Sequence, residues 1–280
     1  MEAQTGTTAS ASLKITALVL AIAINFLVGI NNLIHDPNIG YDSDAHLDYA
    51  ATLLNHFPTK ADTYEFFSPP LPYVIPAIAY KICEIRTRGS GNCSFIAGRL
   101  AQLVNFLFSI GITLLFLKIA EAIKPNNDYF KISALVIWGM LPVYYKTFSQ
   151  FRGETYIAFF VILLIYLFVK LNQNPQSMDW KKGIGLGLLL GLLVLSRQWG
   201  FALFPAFLGM AILIYLRDKN LGMKFGKIIL VSFFVAFLVS GWFYVYLFKT
   251  YGSPAAFNND TLPFSLANHP SGFYTHIGTT

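Results

Sequence analysis

Charged side chains are scarce in this sequence, and their scarcity excludes a soluble globular domain. Only 12% of its 280 residues are Asp, Glu, Lys or Arg, while 55% are hydrophobic and the mean hydropathy is +0.54. Soluble domains average about 25% charged residues, so this chain has too little polar surface to cover itself in water. Several apolar stretches approach or exceed the roughly 20 residues that a helix needs to cross a bilayer. The sequence therefore predicts an all-α polytopic membrane protein built as a transmembrane helical bundle.

Cysteine is almost absent as well, and the few histidines and cysteines follow no zinc-binding spacing. A divalent metal remains an alternative that no sequence pattern supports, and no cofactor is indicated. The two cysteines, Cys83 and Cys93, lie ten residues apart. An oxidising compartment would let them pair, although both could equally stay free.

Six apolar segments are predicted, one of them long enough to cross the membrane twice. They are residues 12–34, 95–120, 129–145, 156–169, 183–216 and 228–248. The 183–216 run is flanked on both sides by lysines and arginines, and short basic loops favour the cytoplasm. Both of its ends should therefore lie on one side, with a turn at "SRQWG", residues 196–200. This arrangement predicts seven spans with a cytoplasmic N-terminus.

Segment 12–34 is too long for the core of a signal peptide and has no small-residue cleavage site, so a retained helix is expected. The long loop 35–94 then faces the non-cytoplasmic side, and residues 1–280 form a single module. The net charge of +6 is attributed mainly to basic residues at the predicted cytoplasmic ends of the spans, and no feature indicates nucleic-acid binding. The expected location is a bacterial inner or plasma membrane, with the endoplasmic reticulum as the alternative; no pattern sets the oligomeric state.

Several charged and polar residues lie on the predicted outer face. Charged side chains close to a bilayer are energetically unfavourable, so their presence there indicates a functional role. They are Asp42, Asp44, His46, Asp48, Lys146, Arg152, Glu154 and Arg197. Arginine is the side chain best suited to bidentate phosphate recognition, so Arg152 and Arg197 with Lys146 would suit an anionic lipid headgroup. The alternative is that the arginines only reach the interface from helix ends.

Asp42 has two interpretations. In the first, Asp42 or Ser43 is the N-cap of a following helix and accepts bonds from unpaired backbone N–H groups. Alternatively, Asp42, His46 and Tyr49 fall at i, i+4 and i+7 and would share one helical face, with Asp44 and Asp48 pointing roughly 200° and 120° away. In the second interpretation Asp42 takes part in the chemistry of a functional site, and His46 and Tyr49 lie next to it.

The outer-loop motifs "YDSDAHLDY" and "SPPLPY" resemble those of the GT-C superfamily of membrane glycosyltransferases, particularly the protein O-mannosyltransferase and aminoarabinose-transferase branch. Later landmarks agree in order and topology: "AGRLAQLVNFLFSIG", "FRGETYIAFF", "GLGLLLGLLVLSRQWGFALFP" and "YGSPAAFN". The resemblance spans residues 12–258. It departs from the family at Ser43, where Glu is frequent, and at Ser68, where His or Gln commonly precedes the proline pair.

The resemblance implies sugar transfer from a polyprenyl- or dolichyl-phosphate donor to a hydroxyl acceptor, with inversion, on the non-cytoplasmic face. Asp42 would be the general base, with Glu154 or Asp44 as the second acid. His46, Tyr49 and Ser68 would contact substrate, and Lys146, Arg152 and Arg197 would hold the lipid phosphate. The family usually has more than seven spans, so a minimal or truncated member is expected. A non-catalytic scaffold and a transporter are the alternatives, the latter disfavoured because no inverted repeat is visible.

Overall fold

The computed structural model describes residues 3–40, 42–174 and 179–254, and within these ranges every regular element is helical. The α-helices are α1 Ala3–Ile34, α2 Ser43–Leu53, α3 Leu71–Thr87, α4 Cys93–Ile123, α5 Asp128–Gly139, α6 Pro142–Ser149, α7 Glu154–Gln173, α8 Trp180–Val194, α9 Leu203–Arg217 and α10 Lys219–Tyr251. A short 3-10 helix, Gln198–Ala202, precedes α9. The all-α prediction is confirmed.

In the part of the chain that the structure describes, five helices are long and apolar enough to cross a membrane, which supports the prediction of a multi-pass membrane protein. They are Ser12–Ile34, Cys93–Ile123, Glu154–Gln173, Gln198–Arg217 and Lys219–Tyr251. The described residues do not contain the seven spans of this length that the sequence predicted. Helix α8 has only 15 residues, and the predicted span 129–145 is divided into α5 and α6. The division falls at Pro142, which opens α6 and has no N–H to continue the preceding helix.

The long apolar run 183–216 forms two helices, as predicted, with the break between Val194 and Leu203. Helix α8 runs parallel to α10, because Gly187 approaches Ser232 and the carbonyl of Val194 accepts a 2.7 Å bond from the Tyr244 hydroxyl. Helix α9 runs antiparallel to α10, since Tyr215 packs against Gly222. The two basic flanks of the run therefore share one end of the bundle, and "SRQWG" lies at the other.

Glycines let α8 and α10 approach closely, as the G-x-x-x-G pattern of α8 predicts. A Cβ on Gly187 would lie 2.6 Å from the Ser232 carbonyl oxygen, whereas one on Gly185 would meet no atom within 4 Å. We expect Gly187→Ala to lower the free energy of unfolding by about 1–3 kcal/mol, because a backbone atom cannot yield to the added methyl. Thermal unfolding in one detergent should show a reduced Tm.

Gly185→Ala is the matched control for that substitution, since it adds the same methyl group to the same helix in open space. Its Tm should stay at or slightly above that of the parent chain because Ala favours a helix over Gly. Equal Tm values for the two variants would contradict the close packing of α8 on α10.

A disulfide joins the end of α3 to the start of α4, which decides the question that the cysteine spacing left open. Cys83 and Cys93 are bonded, with their Cα atoms 5.5 Å apart. The bond fixes the last part of the long 35–94 loop to a membrane-length helix. Helix α3 thereby keeps a defined position against α4.

Candidate functional site

Asp42 occupies the turn just before α2 in a left-handed conformation, with φ 58° and ψ 18°. Such a conformation is uncommon for a residue with a side chain, although Asp and Asn tolerate it. The Ser43 hydroxyl holds the turn by donating to the Asn38 carbonyl at 2.8 Å. The Asp42 carboxylate accepts no bond from the first turn of α2, so the capping interpretation is wrong and its oxygens are not committed to the helix.

An open cleft of about 560 Å³ lies over this turn, between the start of α2 and residues 60–64. Asp42, Asp44 and Asp48 line it together with Asp62 and Lys60. The expectation that Asp44 and Asp48 point away from Asp42 is therefore wrong. Because α2 begins only at Ser43, counting 100° steps from Asp42 does not apply to that residue.

Arg197 is the centre of a polar cluster whose charges interact with Asp42. Its Nη1 donates to Glu65 Oε2 at 2.8 Å and to Ser68 Oγ at 2.6 Å, and its Nη2 lies 3.2 Å from Glu154 Oε1. Only 13% of the Arg197 side chain and 9% of that of Glu65 is exposed. Two carboxylates and a hydroxyl thus hold one guanidinium in a nearly dry environment.

Glu65 is the member that the sequence did not predict. It stands 132 residues before Arg197, and its only local signal is Ser68 three residues later, whose hydroxyl hydrogen-bonds it. Burial opposes ionisation of Glu65, but the His46 ring in its protonated form, the Arg197 guanidinium and the Ser68 hydroxyl outweigh that effect and hold its pKa below the ordinary value. Glu65 is therefore a carboxylate at neutral pH.

The pKa of Asp42 also depends on the charges of this cluster. Burial raises its pKa, the negative charges of Glu65 and Glu154 add to that effect, and the charges of Arg152 and Arg197 oppose it. The result is a pKa above the ordinary value of 3.8, which makes the carboxylate a stronger proton acceptor than a solvated Asp.

His46 and Tyr49 lie beneath the cleft in the protein interior, with no side-chain exposure. His46 Nδ1 lies 2.8 Å from the Tyr73 hydroxyl, and burial lowers the pKa of His46 to about 4, so the ring is neutral at pH 7. Tyr49 stacks on Tyr73 at 3.9 Å and donates to the Ser68 carbonyl at 2.9 Å. Tyr49 thus holds Ser68, which in turn accepts a bond from Arg197, whereas His46 contacts Tyr73, and neither ring lines the cleft.

The segment before α7 is fixed by amide side chains of α4. Gln102 donates to the Ser149 carbonyl at 2.8 Å, and Asn105 donates to the Gln150 carbonyl at 2.7 Å. Gly153 then passes so close to the segment after α8 that a Cβ there would lie 2.7 Å from the Ser196 carbonyl oxygen. These contacts position Glu154 next to Arg197.

The two remaining predicted cations lie in different places. Arg152 Nε is 3.5 Å from Glu154 Oε2, so Arg152 belongs to the Arg197 cluster. Lys146 instead lines a separate open groove of about 600 Å³ with Asn31, His35 and Asp36. The prediction that all three cations meet at one site therefore holds for the arginines and not for the lysine.

Within residues 3–40, 42–174 and 179–254, no group of three His, Cys, Asp or Glu side chains is arranged to hold a metal ion. Searches with this chain against protein-family models, curated proteins and solved structures find no match. Function is therefore inferred from the cluster, the cleft and the sequence resemblance.

Proposed function

We propose that this chain is a GT-C-type membrane glycosyltransferase, which moves a sugar from a polyprenyl- or dolichyl-phosphate donor to a hydroxyl acceptor on the non-cytoplasmic face. The observation that carries the proposal is the Asp42 carboxylate. It is held in a left-handed turn, is uncommitted to helix capping, has a raised pKa, and opens on a cleft, and Arg152 and Arg197 are near enough to interact electrostatically with it. A general base needs these properties at the point where an acceptor hydroxyl can enter.

In the proposed reaction, an acceptor hydroxyl in the cleft gives its proton to Asp42 as its oxygen attacks the anomeric carbon of the donor sugar. The bond from that carbon to the phosphate oxygen breaks, its electron pair leaves with the lipid phosphate, and the configuration inverts. Arg152 and Arg197 offer N–H donors to the leaving phosphate. Because Glu65 and Glu154 already offset both guanidinium charges, directed hydrogen bonds contribute more here than net charge.

The proposal includes seven crossings with the N-terminus in the cytoplasm. Helices α5 and α6 together run the length of α4, because Lys131 pairs with Glu121 at 2.5 Å near one end and Gln102 bonds the Ser149 carbonyl at the other. Residues 102–121 of a helix cover about 28 Å, close to the hydrocarbon thickness. The parallel packing of α8 on α10 favours a further crossing by α8.

We expect a membrane-impermeant thiol reagent to label single cysteines at position 60 only from outside and at position 224 only from inside. Position 175, which lies outside the described residues, should behave like position 224. The background replaces Cys83 and Cys93 by Ser. The opposite pattern would place the Asp42 cleft in the cytoplasm and overturn the donor assignment.

The activity should also depend on pH through Asp42. A base must be deprotonated, so turnover should fall as pH falls through the pKa of Asp42, and the raised pKa moves this acid limb above the ordinary 3.8. The profile of kcat/KM against pH tests this, with Asp44→Asn as the matched variant that should keep the limb. A limb that survives in Asp42→Asn would assign the titration to another group.

Lipid mass spectrometry on gently purified protein tests the function directly. The parent chain should carry a polyprenyl or dolichyl phosphate, and Arg152→Gln should carry less of it. Lys146→Gln removes a positive charge from the other outer groove and serves as the control, with unchanged lipid content. If no such lipid copurifies with the parent chain and no sugar is transferred, the alternative of a non-catalytic scaffold gains.

A further inference from the structure

A second groove lies at the opposite end of the bundle from Arg197, between the last turns of α7 and the first turns of α8. Its volume is about 440 Å³, and its walls are apolar, formed by Leu167, Leu171 and Leu186. Nothing in the proposed reaction uses this groove. It lies at the end of membrane-length α7, which places it at the membrane boundary.

Three lysines surround the apolar walls. Lys170 comes from α7 and Lys181 and Lys182 from the start of α8, and the single acidic residue in the lining is Asp179. The Asp179 carboxylate is occupied as the N-cap of α8, where it accepts a 3.0 Å bond from the backbone N–H of Lys182. The groove therefore combines a positive rim with a hydrocarbon-like floor.

Gly185 keeps the groove open. The three other glycines of α8, Gly183, Gly187 and Gly191, face α10 at close range, but a Cβ on Gly185 would meet no atom within 4 Å. Gly185 is also part of the groove lining. The helix thus presents a bare backbone surface where an acyl chain can lie against leucine side chains.

We propose that this groove binds an anionic phospholipid of the surrounding bilayer, with the headgroup phosphate at the three lysines and one acyl chain along the leucine wall. Basic pockets between transmembrane helices are suited to anionic headgroups, and long lysine side chains reach the headgroup level from helix ends. Trp180 is 62% exposed at the same level, as expected for an interfacial aromatic residue. The inference does not depend on the chemistry at Asp42.

The test measures binding of phosphatidylglycerol and phosphatidylcholine to the full chain in zwitterionic micelles by native mass spectrometry. The parent chain should prefer phosphatidylglycerol, since each lysine near an anionic lipid contributes about fivefold in affinity. Lys170→Gln with Lys181→Gln should reduce this preference by tenfold or more. Lys224→Gln with Lys227→Gln removes the same charge from exposed positions outside the groove and should leave it unchanged.

Gly185→Leu tests whether the groove itself is occupied. The added side chain fills open space at Gly185, so the chain should fold and lose bound phosphatidylglycerol; Gly209→Leu, at another position with no atom near a Cβ, is the control. Loss of binding in Gly185→Leu but not in Gly209→Leu supports the proposal. Equal binding of both lipids, equal effects of the two lysine pairs, retention in Gly185→Leu, or full displacement by millimolar inorganic phosphate would each overturn it.

Discussion

Asp42→Asn is expected to reduce sugar transfer by about 10²–10⁴-fold while leaving the fold and donor binding intact. The rate loss is the usual contribution of a positioned general base. The fold should survive because Asn tolerates the left-handed conformation of this turn as well as Asp does, and because the wild-type carboxylate makes no capping bond that Asn would lose. Transfer from a polyprenyl-phosphate donor in proteoliposomes gives the rate, and thermal unfolding gives the stability.

Asp44→Asn and Asp48→Asn are the matched controls, because each removes one carboxylate from the wall of the same cleft. Neither should lower turnover by more than a few-fold, since loss of cleft charge alone changes substrate attraction and not proton transfer. A dead Asp44→Asn beside an active Asp42→Asn would locate the base on the helix and not in the turn before it. Equal modest losses in all three variants would favour a binding surface over an active site.

Membrane-length helices could be predicted from the sequence because the bilayer imposes a length and an apolar composition on them. The predicted span 12–34 coincides with an apolar window of α1, and those at 95–120 and 156–169 lie inside α4 and α7. The break near Ser196 was also predictable, since the basic residues on both sides of the run require a return to the same face.

Errors occurred where a single residue changed the local geometry. The division of 129–145 follows from Pro142, which apolar content alone does not reveal. Likewise, Asp42, Asp44 and Asp48 could not be grouped by helical periodicity, because Asp42 lies one residue before α2 in a left-handed turn. Periodicity predicts neighbours only inside a regular helix.

The pairing of Glu65 with Arg197 could not be predicted because it depends on tertiary packing. The two residues come from different helix connections, which are joined by hydrogen bonds from Gln198 to the Phe67 carbonyl and from the Leu71 N–H to the Leu195 carbonyl. Arg197 thus has two carboxylate partners, although its neighbours in the sequence include none. This finding changes what its removal should do.

Arg197→Ala is expected to lower the free energy of unfolding by about 3–5 kcal/mol, the usual cost of leaving a buried charge without its partner. The charge left without its partner is the carboxylate of Glu65. Its side chain is only 9% exposed, and Arg197 helps to stabilise its ionised form. Unfolding followed in mixed micelles at fixed composition measures the loss. Arg152→Ala is the control: its pair with Glu154 is more exposed, and its removal should cost no more than about 1 kcal/mol.

A double-mutant cycle separates the pair from its surroundings. Glu65→Gln removes the stranded charge, so the combined variant should recover part of the stability lost in Arg197→Ala, with a coupling energy of about 0.5–3 kcal/mol. The pH dependence has a definite sign. Because the folded pKa of Glu65 lies below its ordinary 4.5, its contribution is complete above pH 4.5 and is lost as pH falls through the lowered value. If Arg197→Ala instead keeps full stability and loses only donor affinity, its guanidinium is a phosphate ligand first and the two carboxylates merely orient it.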